Sequence, residues 1–381
     1  RSPGVGSGIA SRPPEPGSTW PSEPPPGVPA PGRPPPPLAE RPRYIELRFG
    51  KQRTADSREI GVPVTKIQLD LLMISVSREK LAAAETTLED AIAAATESRC
   101  RREAGLIDGP TAQALERDPN VEVIVGLDTT EPTVELERTE YVRVDANYSI
   151  LSRIVRATQV DTVIHTFLVV DPTQMSRRAM HEINVIGTMN LFAAASAASS
   201  TVRNVIVKSS TMVYGCAPED PVWFAEDTPR SRPSRAPVER SLEAVEGYVR
   251  DFAEDNPHVN VALMRFSNVI GAELETPLTR LLKMPVVPSM FGFDPRFQFV
   301  QEEDVIRSIL FAFDHDLPGV FNVAGDGLLP WSEVAKLCGK RTIALPPIGT
   351  SLLTSPFRSI GVADVPEEYH GLLKYGRGVD N

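Results

Sequence analysis

The sequence predicts an α/β fold built on a doubly wound parallel sheet, with a smaller lobe toward the C-terminus. Three observations predict it. From about residue 105 onward, short continuous apolar runs alternate with longer amphipathic stretches, the pattern of strands buried on both faces and covered by helices. Polar residues close several of those apolar runs, where open α/β sheets bind their ligands. The chain has 381 residues, 41% of them hydrophobic and 24% charged, enough for one large α/β domain and a lobe.

Residues 1–42 hold 15 of the 36 prolines, mixed with Gly, Ser and Arg, a composition too poor in apolar side chains to form a core. This segment reads as a disordered, polyproline-like tail, and Pro34–Pro37 as an SH3-type ligand or plain tail. Residues 43–104 are ambiguous: Leu71 to Val76 reads as a short buried strand, and Ser77 to about Arg102 as a helix with Leu81, Leu88 and Ile92 on its apolar stripe. Pro110 to Arg117 begins a helix after Gly109, with Pro in the first helical position. Val121–Leu127, Tyr141–Val144 and Thr162–Phe167 read as strands. A helix follows over roughly Met175–Ala198, then a strand at Val205–Val207, a helix over Ser241–Glu254, and strands at Val259–Phe266 and Val320–Val323. The boundaries drawn are 105–270 for a nucleotide-binding domain and 271–381 for a substrate lobe.

Charge and cysteine usage narrow the partners. The net charge is -10, which repels nucleic acid phosphates and anionic membranes, so neither is expected as a partner. Cys100, Cys216 and Cys338 form no Cys-x-x-Cys pair, and the expectation is reduced thiols in a cytoplasmic protein with no metal site. No apolar run reaches the about 20 residues needed to span a bilayer, and no signal peptide is visible. The chain begins with Arg1, and the start is expected upstream. The acidic run Glu302-Glu303-Asp304 reads as the first turn of a helix.

Asp128, Asp145, Thr166 and Ser209-Ser210 all close predicted strands and together point to a nucleotide crevice. An acid at the end of the second strand, here Asp128, commonly accepts hydrogen bonds from ribose hydroxyls.

Eight strings then occur in one order: Val125-Gly126-Leu127-Asp128, Val144-Asp145-Ala146, Asp161 to His165, Asn184 to Thr188, Ser209 to Gly215, Arg265 to Gly271, Phe299 to Asp304, and Phe321 to Gly325. In these, the stretch from Gly109 to about Gly327 resembles an extended short-chain dehydrogenase/reductase of the NAD-dependent epimerase/dehydratase type, similar to actinobacterial UDP-glucose 4-epimerase-like proteins. The resemblance implies a Rossmann-type fold, NAD or NADP as cofactor, and a nucleotide sugar as substrate. It implies cofactor contacts at Gly105, Gly109, Asp128, Asp145, Ala146, Thr166, Phe167 and Asn184, substrate contacts at Ser210, Thr211 and Asn268, and Ser210 as the catalytic hydroxyl. It also implies a homodimer formed through the helices around Asn184 and Glu246.

Two of the family's elements are missing. The glycine-rich turn falls on Arg101–Gly109, where only Gly105 and Gly109 are glycines, and the strand before it falls on the polar stretch Ile92–Cys100. The catalytic Tyr-x-x-x-Lys falls near Arg235–Glu239, yet Ser231–Glu246 contains neither residue, and no Lys occurs between Lys208 and Lys283. The reading is therefore an epimerase/dehydratase-like oxidoreductase with a degenerate catalytic motif. The alternative is a non-catalytic nucleotide-binding sensor or partner-binding protein.

Overall fold

A computed structural model describes residues 45–50, 68–75, 108–119, 121, 123–128, 134–143, 148–171, 175–272, 274–345 and 367–381. The helix read over Ser77–Arg102, the polar stretch Ile92–Cys100 and the proline-rich tail lie outside these residues.

The first strands are β1 (Ile45–Gly50) and β2 (Gln68–Ser75). Helix α1 (Asp108–Glu116), strands β3 (Val123–Asp128) and β4 (Thr139–Arg143), helix α2 (Tyr148–Thr158) and strand β5 (Val160–His165) follow. Helix α3 is composite: an α segment Arg177–His181, a π turn Glu182–Gly187 and an α segment Thr188–Ala195. Next come β6 (Asn204–Ser210), a single 3₁₀ turn (Thr211–Tyr214), β7 (Trp223–Phe224) and α4 (Pro237–Asp255). The remainder is β8 (Asn260–Phe266), β9 (Asn268–Ile270), α5 (Pro277–Lys283), β10 (Val286–Met290), β11 (Arg296–Phe297) and β12 (Phe299–Gln301). Helix α6 (Glu302–His315), β13 (Gly319–Val323), β14 (Leu329–Pro330), α7 (Trp331–Leu337), β15 (Arg341–Leu345), α8 (Glu367–Tyr375) and β16 (Gly378–Val379) complete it.

The main sheet has the order β1-β2-β5-β6-β8-β13. Its β5, β6, β8 and β13 are parallel throughout, as the continuous apolar runs predict. Every residue of β5 is buried, which requires cover on both faces. Strands β3 and β4 pair in parallel and lie against β1 and β2. The edge departs from the all-parallel pattern: β2 contains Leu71–Ser75 of the predicted run Leu71–Val76, whose last residue lies outside the described residues, but pairs antiparallel with both β5 and β1. Composition marks a strand there, and direction is fixed only by its neighbours.

Helices form where the sequence gives them a face and an end. In α4, Val238, Leu242, Val245, Val249 and Phe252 recur every three or four residues and are all buried, and Pro237 opens the helix. In α3, the Ser176 side chain accepts from the Ala179 amide at 3.2 Å and caps the first turn. Helix α5 has a reciprocal Thr276–Thr279 capping box with Pro277 in its first turn. Two buried clusters result. One joins the sheet to α1–α4 and α6, and the other, around Trp331, Phe297, Leu278 and Leu373, unites α5, α7 and α8 with β10 and β15. The acids Glu302, Glu303 and Asp304 form the first turn of α6, as read.

Candidate functional site

Strand β6 divides its residues between two environments. Successive side chains of a strand point to opposite faces. Ser209 turns toward α4 and donates to Glu246 Oε1 at 2.7 Å. Lys208, Ser209 and Ser210 all line a cavity of about 210 Å³ at the carboxyl ends of β5, β6 and β8. Its wall also includes Leu168–Asp171 from the segment after β5, Thr211 and Met212 from the 3₁₀ turn, Phe266–Val269, Leu274–Leu278, and Tyr369 from α8.

Three of the predicted site residues, Ser210, Thr211 and Asn268, thus converge on one cavity. Ser210 caps the 3₁₀ turn: its Oγ accepts from the Met212 amide at 3.2 Å, and its own hydrogen has no acceptor among the described residues. Asn268 is held through one end only, its Nδ2 donating to the Gln298 carbonyl at 2.8 Å. Its Oδ1 faces no donor among the described residues.

Asn184 acts through the backbone. Fully buried in the π turn of α3, it accepts from the Val169 amide at 2.8 Å and donates to the Val169 carbonyl at 2.9 Å. These two bonds clamp the segment that forms one wall of the cavity. A π turn inserts an extra residue into a helix, which re-aims one side chain, and such turns recur at functional sites. Thr166 and Phe167 are buried behind that wall, which begins at Leu168. Phe167 packs on His165, ring centroids 4.0 Å apart.

His165 is fully buried, and burial pushes its pKa down from 6.5 to about 3. Its Nε2 lies 2.8 Å from Thr188 Oγ1, and the Thr188 hydroxyl donates to the Asn184 carbonyl at 2.5 Å. A hydroxyl has one hydrogen, so Nε2 is the donor and His165 is a neutral, structural imidazole.

Below the cavity floor runs a buried polar network. Arg265 donates to both Glu246 oxygens, with Nη2–Oε2 at 2.6 Å, and to the Tyr214 hydroxyl at 2.7 Å. Tyr214 donates to Asn322 Oδ1 at 2.8 Å. Burial raises the Tyr214 pKa although Arg265 opposes it, so the phenol is protonated and fully engaged. Tyr214 follows Ser210 by four residues, but it belongs to this network.

The places where the resemblance calls for Tyr and Lys hold Arg235 and Glu239. Both line a second cavity of about 370 Å³, with Arg230, Cys216 and Gly215. Glu239 is committed to an ion pair with Arg230. Gly215, at φ 76°, has Arg230 packed where a Cβ would stand, so the chain turns there only as glycine.

Lys208 and Tyr369 are among the residues of the first cavity that the sequence did not single out. Lys208 carried a local signal, its two-residue spacing from Ser210 just beyond the strand read over Val205–Val207. Tyr369 carried none, because α8 lies far along the chain. Of the remaining predicted contacts, Gly109 sits in the first turn of α1, where a Cβ would meet Val134 Cγ2 at 2.5 Å. Asp128 ends β3 as read. Gly105, Asp145 and Ala146 lie outside the described residues.

Residues 104–324 match the NAD dependent epimerase/dehydratase family. An uncharacterized protein of Mycobacterium tuberculosis is 33% identical over 279 residues, 72% of this chain and 74% of that protein. The UDP-glucose 4-epimerase of Yersinia pestis is 38% identical over 89 residues, covering 23% of this chain and 25% of that enzyme. Among solved structures, the dTDP-glucose 4,6-dehydratase DesIV of Streptomyces venezuelae, with NAD and TYD bound, aligns with a TM-score of 0.52 at 21% identity, covering 64% of this chain and 82% of that one. UDP-glucuronic acid 4-epimerase from Bacillus cereus, in complex with NAD, aligns with a TM-score of 0.51 at 20% identity, covering 64% and 83%. At these identities the likeness is one of fold.

Proposed function

This chain belongs to the NAD dependent epimerase/dehydratase family, and from that premise we propose that it is an NAD-dependent oxidoreductase of nucleotide sugars with an altered catalytic set. The observation that carries the proposal is the convergence of Ser210, Thr211 and Asn268 on one cavity at the carboxyl ends of parallel strands. Relatives of the same fold bind NAD, and one acts on UDP-glucuronic acid.

The residues present fit the nicotinamide end of such a cofactor: apolar Leu168, Met212 and Phe266 stand beside the hydroxyls of Ser210 and Thr211. NAD(P), when bound, supplies a hydride acceptor and donor. The chain's own residues then have defined tasks. Ser210, its hydrogen uncommitted, donates to a substrate oxygen. Asn268 Oδ1 accepts from a sugar hydroxyl. Asn184 keeps the Val169 wall in place, and Asp128 at the end of β3 takes the adenosine ribose. Residues 105–270 form the nucleotide end and 271–381 the substrate lobe.

Arg235 and Glu239 support a second reading, binding without turnover. An Arg does not act as a general base near neutral pH, and Glu239 is paired away from the first cavity. Two further parts of the proposal concern the whole molecule. A homodimer through α3 and α4 is supported by the exposed Ile186, Met189 and Tyr248. Cytoplasmic residence is supported by the unpaired Cys216 and Cys338; among the described residues no helix is long and apolar enough to cross a membrane.

One experiment tests both readings. Purified protein is titrated with NADH and NADPH by fluorescence, then incubated with UDP-glucose and NAD, with products resolved by chromatography. Binding with turnover that Ser210→Ala lowers by about 10²-fold or more supports the oxidoreductase. Binding without turnover selects the second reading, and absence of binding overturns both.

A further inference from the structure

The charges around the first cavity do not balance among themselves. Among the described residues, three that line it are charged: Asp171, Glu275 and Lys208. Asp171 is buried and pairs with Arg280 at 2.7 Å. Glu275 pairs with Lys283 at 2.8 Å. Lys208 is half-buried and has no ion pair or hydrogen bond among the described residues. Among the described residues the lining therefore carries one unmatched positive charge, two residues before Ser210.

Position explains why the charge is available. Ser209, between the two, also lines the cavity, but its hydroxyl is tied to Glu246, and the period of two puts the Lys208 side chain on the same face of the strand as that of Ser210. Glu246, the buried carboxylate that Ser209 reaches, is spent on Arg265 and Ser209. His165 is neutral and offers no negative charge. An ammonium partly removed from water without a counter-charge is costly, and an anion arriving in the cavity relieves that cost.

We propose that Lys208 is the anion-binding group of this cavity, and that the molecule bound beside Ser210 presents a phosphate or carboxylate oxygen to it. The inference rests on the nucleotide-sugar reading and deepens it. The same chemistry has two sources: the diphosphate of the cofactor, or an acidic group on the substrate such as the carboxylate of a nucleotide-linked sugar acid.

Calorimetric titrations of the full chain separate these sources, using NADH, UDP-glucose and UDP-glucuronate against wild type, Lys208→Met and Lys208→Arg. If the substrate supplies the anion, UDP-glucuronate binds about tenfold or more tighter than UDP-glucose, and Lys208→Met erases the difference while NADH binding holds. If the cofactor supplies it, Lys208→Met weakens NADH by a similar factor and leaves the ratio of the two sugars unchanged. In either case Lys208→Arg retains most of the affinity. Unchanged affinities for all three ligands in Lys208→Met overturn the proposal.

Should no nucleotide bind at all, the nucleotide-sugar reading fails while Lys208 remains open to test. Acetylation of Lys208 by acetic anhydride is then followed by peptide mass spectrometry. Protection by glucuronate or inorganic phosphate, and not by glucose, supports an anion site. Equal acetylation rates in all three solutions overturn it. Circular dichroism of each variant confirms that the fold is retained.

Discussion

Replacing Glu246 by glutamine leaves the shape of the side chain and removes its charge. In the native chain Glu246 and Arg265 are almost wholly enclosed, with side-chain exposures of 3% and 9%. The carboxylate accepts from Arg265 Nε at 3.1 Å, from Nη2 at 2.6 Å and from Ser209 Oγ at 2.7 Å. Burial pulls the Arg265 pKa down, and the hydrogen bonds and charge of Glu246 more than offset it, so the net shift is upward. Glu246→Gln therefore leaves a buried cation without its counter-charge, a change that costs about 3–5 kcal/mol. Arg265 keeps the Tyr214 ring, 4.8 Å from its guanidinium carbon, and the Glu226 carbonyl at 2.8 Å. That residual solvation places the expectation near the lower end, about 3 kcal/mol. Urea unfolding followed by far-ultraviolet circular dichroism reads the loss. Arg265→Met on the Glu246→Gln background should recover part of it, giving a coupling of about 2 kcal/mol in a double-mutant cycle. A Glu246→Gln protein within about 0.5 kcal/mol of wild type, the range of ordinary surface changes, refutes the reasoning.

Three other predictions follow from the same geometry. The His165 pKa falls from 6.5 to about 3 in the folded chain, so the unfolded chain takes up the proton first. This contribution to stability is complete above 6.5 and is lost as pH falls toward 3, at about 1.4 kcal/mol per pH unit. Between pH of about 7 and about 5, wild type should lose about 2 kcal/mol more than His165→Gln in urea titrations; parallel losses would contradict the assignment. Asn184→Leu strands the buried amide and carbonyl of Val169 and should destabilise by about 2–4 kcal/mol. Amide hydrogen exchange at Val169 should accelerate with it, and unchanged protection there rules out the clamp. Met189→Glu with Tyr248→Glu places charges on the exposed apolar positions of α3 and α4. Sedimentation should then show monomer where wild type is a dimer, and a dimer persisting in the variant removes these faces from the interface.

What the sequence made legible was set by range. Val163-Ile164 and Val205–Val207 stand out because strands buried on both faces are rich in apolar residues, whatever their partners; the strand read over Thr162–Phe167 runs Val160–His165, its ends blurred by the polar Asp161, Thr162 and His165. The stripe of α4 is similarly local, since its Leu and Val spacing needs no knowledge of the sheet. The direction of β2 was not legible: a run of Leu, Met and Ile pairs either way, and antiparallel pairing with β5 depends on where the chain enters the sheet. The π turn around Asn184 was hidden for a related reason. Its extra residue is stabilised by two bonds to Val169, which a helical periodicity does not contain. Ser210 was legible as a strand-end polar residue, a local signal, whereas Thr211 and Asn268 were singled out only through the family resemblance; all three line the cavity. Tyr369 and the Glu246–Arg265 pair arise from contacts between segments far apart in the chain.

The absence of Tyr-x-x-x-Lys acquires a different meaning once β6 is seen in place. Ser209 and Ser210 both line the cavity, yet their hydroxyls have different partners. Ser209 reaches a buried carboxylate at 2.7 Å. Ser210 makes one 3.2 Å bond within its own turn. Lys208 lies on the same face of the strand as Ser210 by the period of two. A helix motif with a cation four residues beyond a phenol is one way to bring positive charge to a strand-end hydroxyl. A lysine two residues before that hydroxyl, on the same strand and the same face, is another.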